Sequence, residues 1–237
     1  MIPLKTNVPV ATRPVVVWAL LILNTAVFLW QIALPAREAF LAATQYALIP
    51  RRYGDPAWAY AVGLDPRNHW PLLTNTFMHG GWLHLIANMW TLWLFGAAVE
   101  DRMGRLRFAL FYLLCGTLAS WAHMAAYSDS EVPTLGASGA IAAVLGAHIT
   151  LFPKSRVLLI IPIIVIPLPL AIGTWWYAVV WFGLQLWQGT GDLLFASPEM
   201  LTGGGGIAWW AHIGGFVAGL AVVRLIAPPD RSGRWTR

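Results

Sequence analysis

Residues Thr134–His148, TLGASGAIAAVLGAH, decide how this chain is read. They form a run of small and apolar residues with one serine, Ser138, held between Gly136 and Gly139. Small residues are what membrane helices use where their backbones approach each other. Ser138 therefore has two readings, as packing material or as a nucleophile inside a bilayer. The rest of the chain chooses between them.

The composition assigns the chain to the membrane class. Hydrophobic residues make up 58% and charged residues 11%, where a soluble domain carries about a quarter charged. Mean hydropathy is +0.64. The 15 tryptophans suit the membrane–water interface. The net charge of +5 does not suggest nucleic acid, because the basic residues lie between apolar spans and in the tails. Cys115 is the only cysteine, which excludes an intrachain disulfide and a Cys-based metal cluster. It reads as a small buried hydrophobe.

Crossing the hydrocarbon core takes about 20 apolar residues. Six segments qualify, near 15–34, 77–98, 106–127, 135–152, 169–188 and 206–226. The first is longer than a signal-peptide core and lacks a clear small-residue cleavage site, so it reads as a retained anchor. Arg102, Arg105 and Arg107, then Lys154 and Arg156, then Arg224, Arg231, Arg234 and Arg237 flank one side. The opposite short loops hold only acids, Asp129, Glu131, Asp192 and Glu199. The positive-inside rule makes both termini cytoplasmic. The expected fold is an all-α membrane protein, a six-helix bundle over 15–226 between an N-terminal tail (1–14) and a basic C-terminal tail (227–237). Residues 35–76, with Phe40, Tyr46, Trp58 and Trp70, read as a half-embedded outer loop between the first two spans.

Ionisable and strongly polar groups within spans are functional candidates by default. Ser138 lies just inside span four and His212 just inside span six, both roughly 5–10 Å below the outer surface at 1.5 Å rise per residue. His84 and Asn88 in HGGWLHLIAN (His79–Asn88) sit four apart on one helix face, at a similar depth. His148 falls near the other end of span four, and His79 before the Gly80–Gly81 break. A serine becomes nucleophilic when a base within hydrogen-bond reach takes its proton, and His212 is the candidate. Close helix approach is provided by Gly215 and Gly219 in AHIGGFVAG, facing Gly136, Gly139, Ala143 and Gly146. His84, Asn88 and the Ser138 backbone N–H are candidate oxyanion donors. No carboxylate lies at this depth, so a dyad is expected rather than a triad. Without HExxH or a carboxylate near the histidines, no metal site and no cofactor are implied.

GASGA around Ser138, AHIGGFVAG around His212 and HGGWLHLIAN resemble the motifs of the rhomboid intramembrane serine proteases, in the six-span bacterial form, over about residues 15–226. The resemblance implies Ser138 as nucleophile, His212 as general base, and His84 and Asn88 in the oxyanion site. GAAVEDRMG is similar to the family's end of span two, with Glu100 and Arg102 in structural polar roles. It implies transmembrane protein substrates, a lipid bilayer, a cell inner membrane and an active site near the outer, periplasmic face. It does not settle the oligomeric state or an organellar home. Trp70 matches the family's WR pair, but Pro71 stands where the arginine would be. Ala142 stands where the family has an aromatic beside the catalytic histidine, leaving Trp209 or Trp210 to orient His212, or a looser dyad.

The proline-rich IPIIVIPLPL (161–170) reads as a kinked entry to span five. With the Gly203–Gly206 run it marks span five and its outer loop as candidates for a substrate gate. A non-catalytic relative would lack the serine or the histidine, and both are present. A transporter would carry its polar groups near the midplane or on an inverted repeat.

Overall fold

The computed structural model describes residues 2–163, 166–195 and 208–229. The order is β1 (Ile2–Thr6), α1 (Val15–Ala33), α2 (Ala36–Tyr46), α3 (Arg51–Gly54), α4 (Pro56–Ala61), α5 (Pro71–Thr74), α6 (Trp82–Met103), α7 (Arg105–Ala126), α8 (Ser138–Leu151), β2 (Arg156–Ile163), β3 (Ile166–Gly173), α9 (Thr174–Phe195) and α10 (Trp209–Ile226), with a 3-10 turn at Asn75–Phe77. The Gly203–Gly206 run and residues 230–237 of the C-terminal tail lie outside the described residues.

Among the described residues four helices, α1, α6, α7 and α10, are long and apolar enough to cross a membrane. Their outward faces carry Trp18, Ile22, Leu83, Ile86, Leu110, Val217 and Leu225, all exposed. Apolar surface on that scale is what a bilayer covers. α8 differs. Its 14 residues extend about 21 Å, less than the ~30 Å hydrocarbon core. Every residue from Gly139 to Ile149 is buried, so α8 is the central post of the bundle. Around it pack Leu92 and Phe95 of α6, Phe108, Phe111 and Tyr112 of α7, and Phe216 and Val223 of α10.

Small residues set how close α10 comes to that post. A Cβ on Gly215 would overlap the Gly139 carbonyl, and one on Gly219 the Ala143 carbonyl. A Cβ on Gly146 would lie 2.6 Å from the Phe216 carbonyl oxygen. Backbone therefore meets backbone along several turns, the use of small residues characteristic of membrane helix pairs.

Polar residues near the end of α6 tie the start of α1 to it. The Glu100 carboxylate, buried at the end of α6, accepts from the N–H groups of Val16 (3.0 Å) and Val17 (2.8 Å). Those N–H groups open α1 and have no partner within the helix. Asp101 accepts from the N–H groups of Ala11 and Thr12 at 2.9 and 3.0 Å.

Two expectations need correction. The fold is not purely helical, because β1, β2 and β3 form a three-stranded antiparallel sheet in that order. The helix expected as span five also begins later, at Thr174, because residues 166–173 form β3 rather than a kinked helix entry. Arg156–Ile163 and Ile166–Gly173 are rich in Val, Ile and Leu and pair in register from Arg156↔Gly173 to Ile163↔Ile166. The prolines fit because of where they sit. Pro3, Pro167 and Pro169 lie on the two edge strands, and Pro162 lies beyond the Ile2↔Ile160 end of the β1 pairing. A missing N–H is tolerated on an edge, whereas each proline inside a helix would remove a bond and clash.

Between α1 and α6 the chain forms a cap of short helices. Its Leu48 pairs with Thr134 in an isolated antiparallel bridge. Arg51 bonds both Asp55 and Glu131 and stands 5.0 Å over the Trp58 ring. The Trp58 N–H and then Arg51 hold the Asp55 carboxyl below the usual carboxylate range. Thr74 donates its hydroxyl to the Tyr46 carbonyl at 2.7 Å, and buried Arg52 donates to the Thr44 carbonyl at 3.0 Å. Pro71 opens α5 and is buried, so Thr74 and Arg52 anchor the cap without an arginine at position 71.

Gly219→Leu should push α10 off α8 and lower the thermal midpoint in detergent by several degrees. Gly183→Ala on α9, where nothing lies within 4 Å of the new methyl, should not; equal midpoints for both would contradict the close-contact account. The Asp55 latch has a depressed carboxyl, so it holds above about pH 4 and is lost as pH falls below that. A nitroxide at Tyr60→Cys should stay slow down to that pH and loosen below it. Arg51→Ala should loosen it throughout, and a label insensitive to both changes would remove the latch.

Candidate active site

Ser138 is the first residue of α8, and the loop before it is held from three directions. The Thr134 N–H and C=O bond Leu48 of the cap. The Thr134 hydroxyl lies 2.9 Å from His123 Nε2 on α7. The Gly136 N–H donates to the Asn75 carbonyl at 2.9 Å, and the Asn75 amide donates to Ser120 Oγ on α7, also at 2.9 Å. These bonds fix where α8 starts. Motif reading did not single out Asn75, Ser120 or Thr134; a buried polar residue matters here through partners far away in sequence.

His212 sits in the first turn of α10, one residue after Ala211, whose carbonyl lies close to Gly139. Its Nε2 is 2.7 Å from Ser138 Oγ, a hydrogen-bond distance between side chains 74 residues apart. Its other ring nitrogen, Nδ1, is 2.6 Å from Oε1 of Gln185 on α9. Gln185 is buried and was not among the residues singled out from sequence. Its available signal is a polar side chain inside an apolar span. The Trp181 ring lies 5.9 Å from the His212 ring at a 36° tilt, and the Trp209 ring 6.1 Å away, edge-on at 87°. Trp210 instead donates from Nε1 to the Gly189 carbonyl at 3.2 Å. Ala142 is buried in the bundle core.

His84 and Asn88 lie one turn apart on α6, which begins after the Gly80–Gly81 break. The His84 ring faces Gly136. A Cβ there would lie 2.7 Å from Cε1 and 2.8 Å from Nε2, and Gly136 has φ of +137°, so position 136 is restricted to glycine on both counts. Gly136 thus lies before α8, against His84, while Gly139, Gly146, Gly215 and Gly219 lie in the α8–α10 contact. The Gly80 N–H points to His84 Nδ1 at 3.5 Å, which favours the tautomer with the proton on Nε2. Asn88 is buried, and its Nδ2 has no hydrogen-bond partner among the described residues. Buried donors left unpaired are rare and call for an explanation.

His79 precedes α6, where its N–H donates to Gln31 Oε1 at 3.0 Å and its ring packs edge-on to His84 at 5.2 Å. His148 is wholly buried between Phe95 and Phe152, with ring centroids 5.2 and 5.0 Å away. Among the described residues no group of three or more His, Cys, Asp or Glu could hold a metal ion.

A profile of the Rhomboid domain matches residues 66–229, well over half the chain. Rhomboid protein 1, mitochondrial, of Saccharomyces cerevisiae is 31% identical over 209 residues, covering 86% of this chain and 51% of that protein. The Homo sapiens Presenilin-associated rhomboid-like protein, mitochondrial, is 35% identical over 92 residues, 38% of this chain and 24% of its own length. RHOMBOID-like protein 5 of Arabidopsis thaliana is 32% identical over 117 residues, 46% of this chain and 38% of that protein. The chain thus spans between a quarter and a half of these relatives. With its apolar helices and the domain match from the cap through α10, the chain is a multi-pass membrane protein of the rhomboid family.

Proposed function

We propose that this chain is a serine endopeptidase that cleaves transmembrane segments of other membrane proteins, with Ser138 as nucleophile and His212 as general base. The observation that carries this reading is the 2.7 Å contact between Ser138 Oγ and His212 Nε2. As Oγ attacks a peptide carbonyl carbon, its proton passes to Nε2. The same proton then goes to the departing amine as the C–N bond breaks. Water, activated by His212, hydrolyses the resulting ester and restores the serine.

The developing oxyanion needs donors already in position. The Nε2–H of His84, the unpartnered amide of Asn88 and the Ser138 N–H at the start of α8 are assigned that role. The first N–H groups of a helix have no partner in the helix and sit at the positive end of its dipole. Gly139, Gly146, Gly215 and Gly219 serve the reaction indirectly, by letting α10 carry His212 up to α8.

In this reading α1, α6, α7, α8, α9 and α10 are the six spans of a 15–226 protease domain, and the cap is half-embedded in the outer leaflet. Both tails are cytoplasmic. The dyad lies near the outer face, where water enters from that side, of a bacterial or organellar inner membrane. The partners are transmembrane substrates and lipid. Entry past α9 and its outer loop is favoured by α9's long exposed face, with Trp175, Trp176, Val179, Leu184 and Trp187.

A fluorescent fluorophosphonate should label the purified protein, and neither Ser138→Ala nor His212→Ala should take the label. Equal labelling of all three would sink the dyad. Asn88→Ala should slow turnover by about 10–1,000-fold, the scale of one oxyanion donor, with the thermal midpoint unchanged. Cleavage at the wild-type rate would remove Asn88 from that role.

A further inference from the structure

We infer that Gln185 is a third positioning member of the site: its side-chain oxygen fixes the tautomer and orientation of His212. This rests on the Ser138–His212 dyad proposed above. A neutral imidazole has one N–H donor and one acceptor nitrogen. Only the tautomer protonated on Nδ1 leaves Nε2 free to accept the serine proton. Gln185 Oε1, 2.6 Å from Nδ1, is an acceptor and selects that tautomer. The same bond is kept, and strengthened, when His212 becomes an imidazolium, since hydrogen bonds to a charged donor are stronger. In soluble triads a carboxylate does this. Here a neutral amide orients the ring without placing a second charge in the low-dielectric bundle.

Gln185 is itself well placed to be rigid. It is buried, on the one face of α9 that meets α10. Trp181, Phe182, Gln185 and Gly189 share that face at helical spacing. Phe182 stacks on Phe216 at 4.8 Å. Gly189 admits Trp209, whose Cβ would lie 2.9 Å from a methyl at 189, and it accepts the Trp210 N–H. Gln185 therefore stands between an aromatic clamp on one side and a close glycine contact on the other. Trp181 and Trp209 bracket the His212 ring from two sides, so the ring has steric walls and one polar anchor. This arrangement answers the alanine at position 142: orientation of His212 comes from α9 and from Trp209 rather than from α8.

The test uses Gln185→Met, similar in length and helix propensity but without a strong acceptor, and Gln185→Glu, which retains one. Fluorophosphonate labelling of Ser138 is measured against probe concentration. Gln185→Met should lower the maximal labelling rate roughly 10- to 100-fold, the scale of a misplaced reacting group, with half-saturation and thermal midpoint unchanged. Gln185→Glu should recover most of that rate. In wild-type protein with ¹⁵N-labelled histidine, the two resonances absent from His212→Ala should show a protonated Nδ1 and an unprotonated Nε2. The wild-type labelling rate in Gln185→Met, or a protonated Nε2 in the wild type, overturns the assignment while leaving the dyad standing. Undiminished labelling in Ser138→Ala or His212→Ala overturns the dyad and this assignment together. If Gln185→Met fails to fold, the wild-type ¹⁵N spectrum alone decides.

Discussion

The rest of the molecule depends on how closely the backbones of α8 and α10 approach. Ser138 and His212 are 74 residues apart on different helices, and each side chain is short relative to an ordinary helix separation of 8–10 Å. They meet only because Gly139 faces Gly215 and Ala143 faces Gly219 with no side chain between. In a bilayer such contact is favoured by dispersion and close fit rather than by release of water. The same stripe of small residues is thus a packing device and what brings the proposed catalytic pair within hydrogen-bond reach.

Everything around that contact sets position in finer steps. Depth along α8 is fixed by its first residue, which is held by the bonds of Thr134 and Gly136 to the cap and to Asn75. The start of α1 is held by Glu100. The inward face of α9 runs from Thr174, Tyr177 and Ala178, where Tyr177 stacks on Phe95 of α6, through Trp181, Phe182 and Gln185 to Gly189, and the opposite face presents apolar side chains outward. α9 thereby brings the Gln185 side-chain oxygen to His212.

Much of this was legible in the chain. Long apolar runs mark α1, α6, α7 and α10 because the hydrocarbon core demands length and excludes charge. Ser138, His84, Asn88 and His212 stand out because polar groups in such runs are expensive, and the structure places Ser138 Oγ 2.7 Å from His212 Nε2. The sheet was not legible. An apolar run such as 156–173 suits a buried strand or a helix equally well, and its prolines were read as helix kinks rather than as markers of strand edges. Gln185 was missed for another reason. Its partner depends on the rotation of α9, which no local pattern specifies, and a lone amide among tryptophans has no motif. The restraints on Asn75 and Thr134 are likewise tertiary. Ala142 departs from the family pattern, and the rings that flank His212 come instead from α9 and from α10's own first turn.

The central claim is that a serine near one face of the bundle cuts peptide bonds of membrane-embedded segments. Its most direct measurement is mass spectrometry of a reporter transmembrane protein co-reconstituted in liposomes with the purified chain. The account predicts two fragments whose junction lies within or beside the reporter's membrane segment, formed by wild-type protein and not by Ser138→Ala. An intact reporter, or the same fragments from Ser138→Ala, would contradict it.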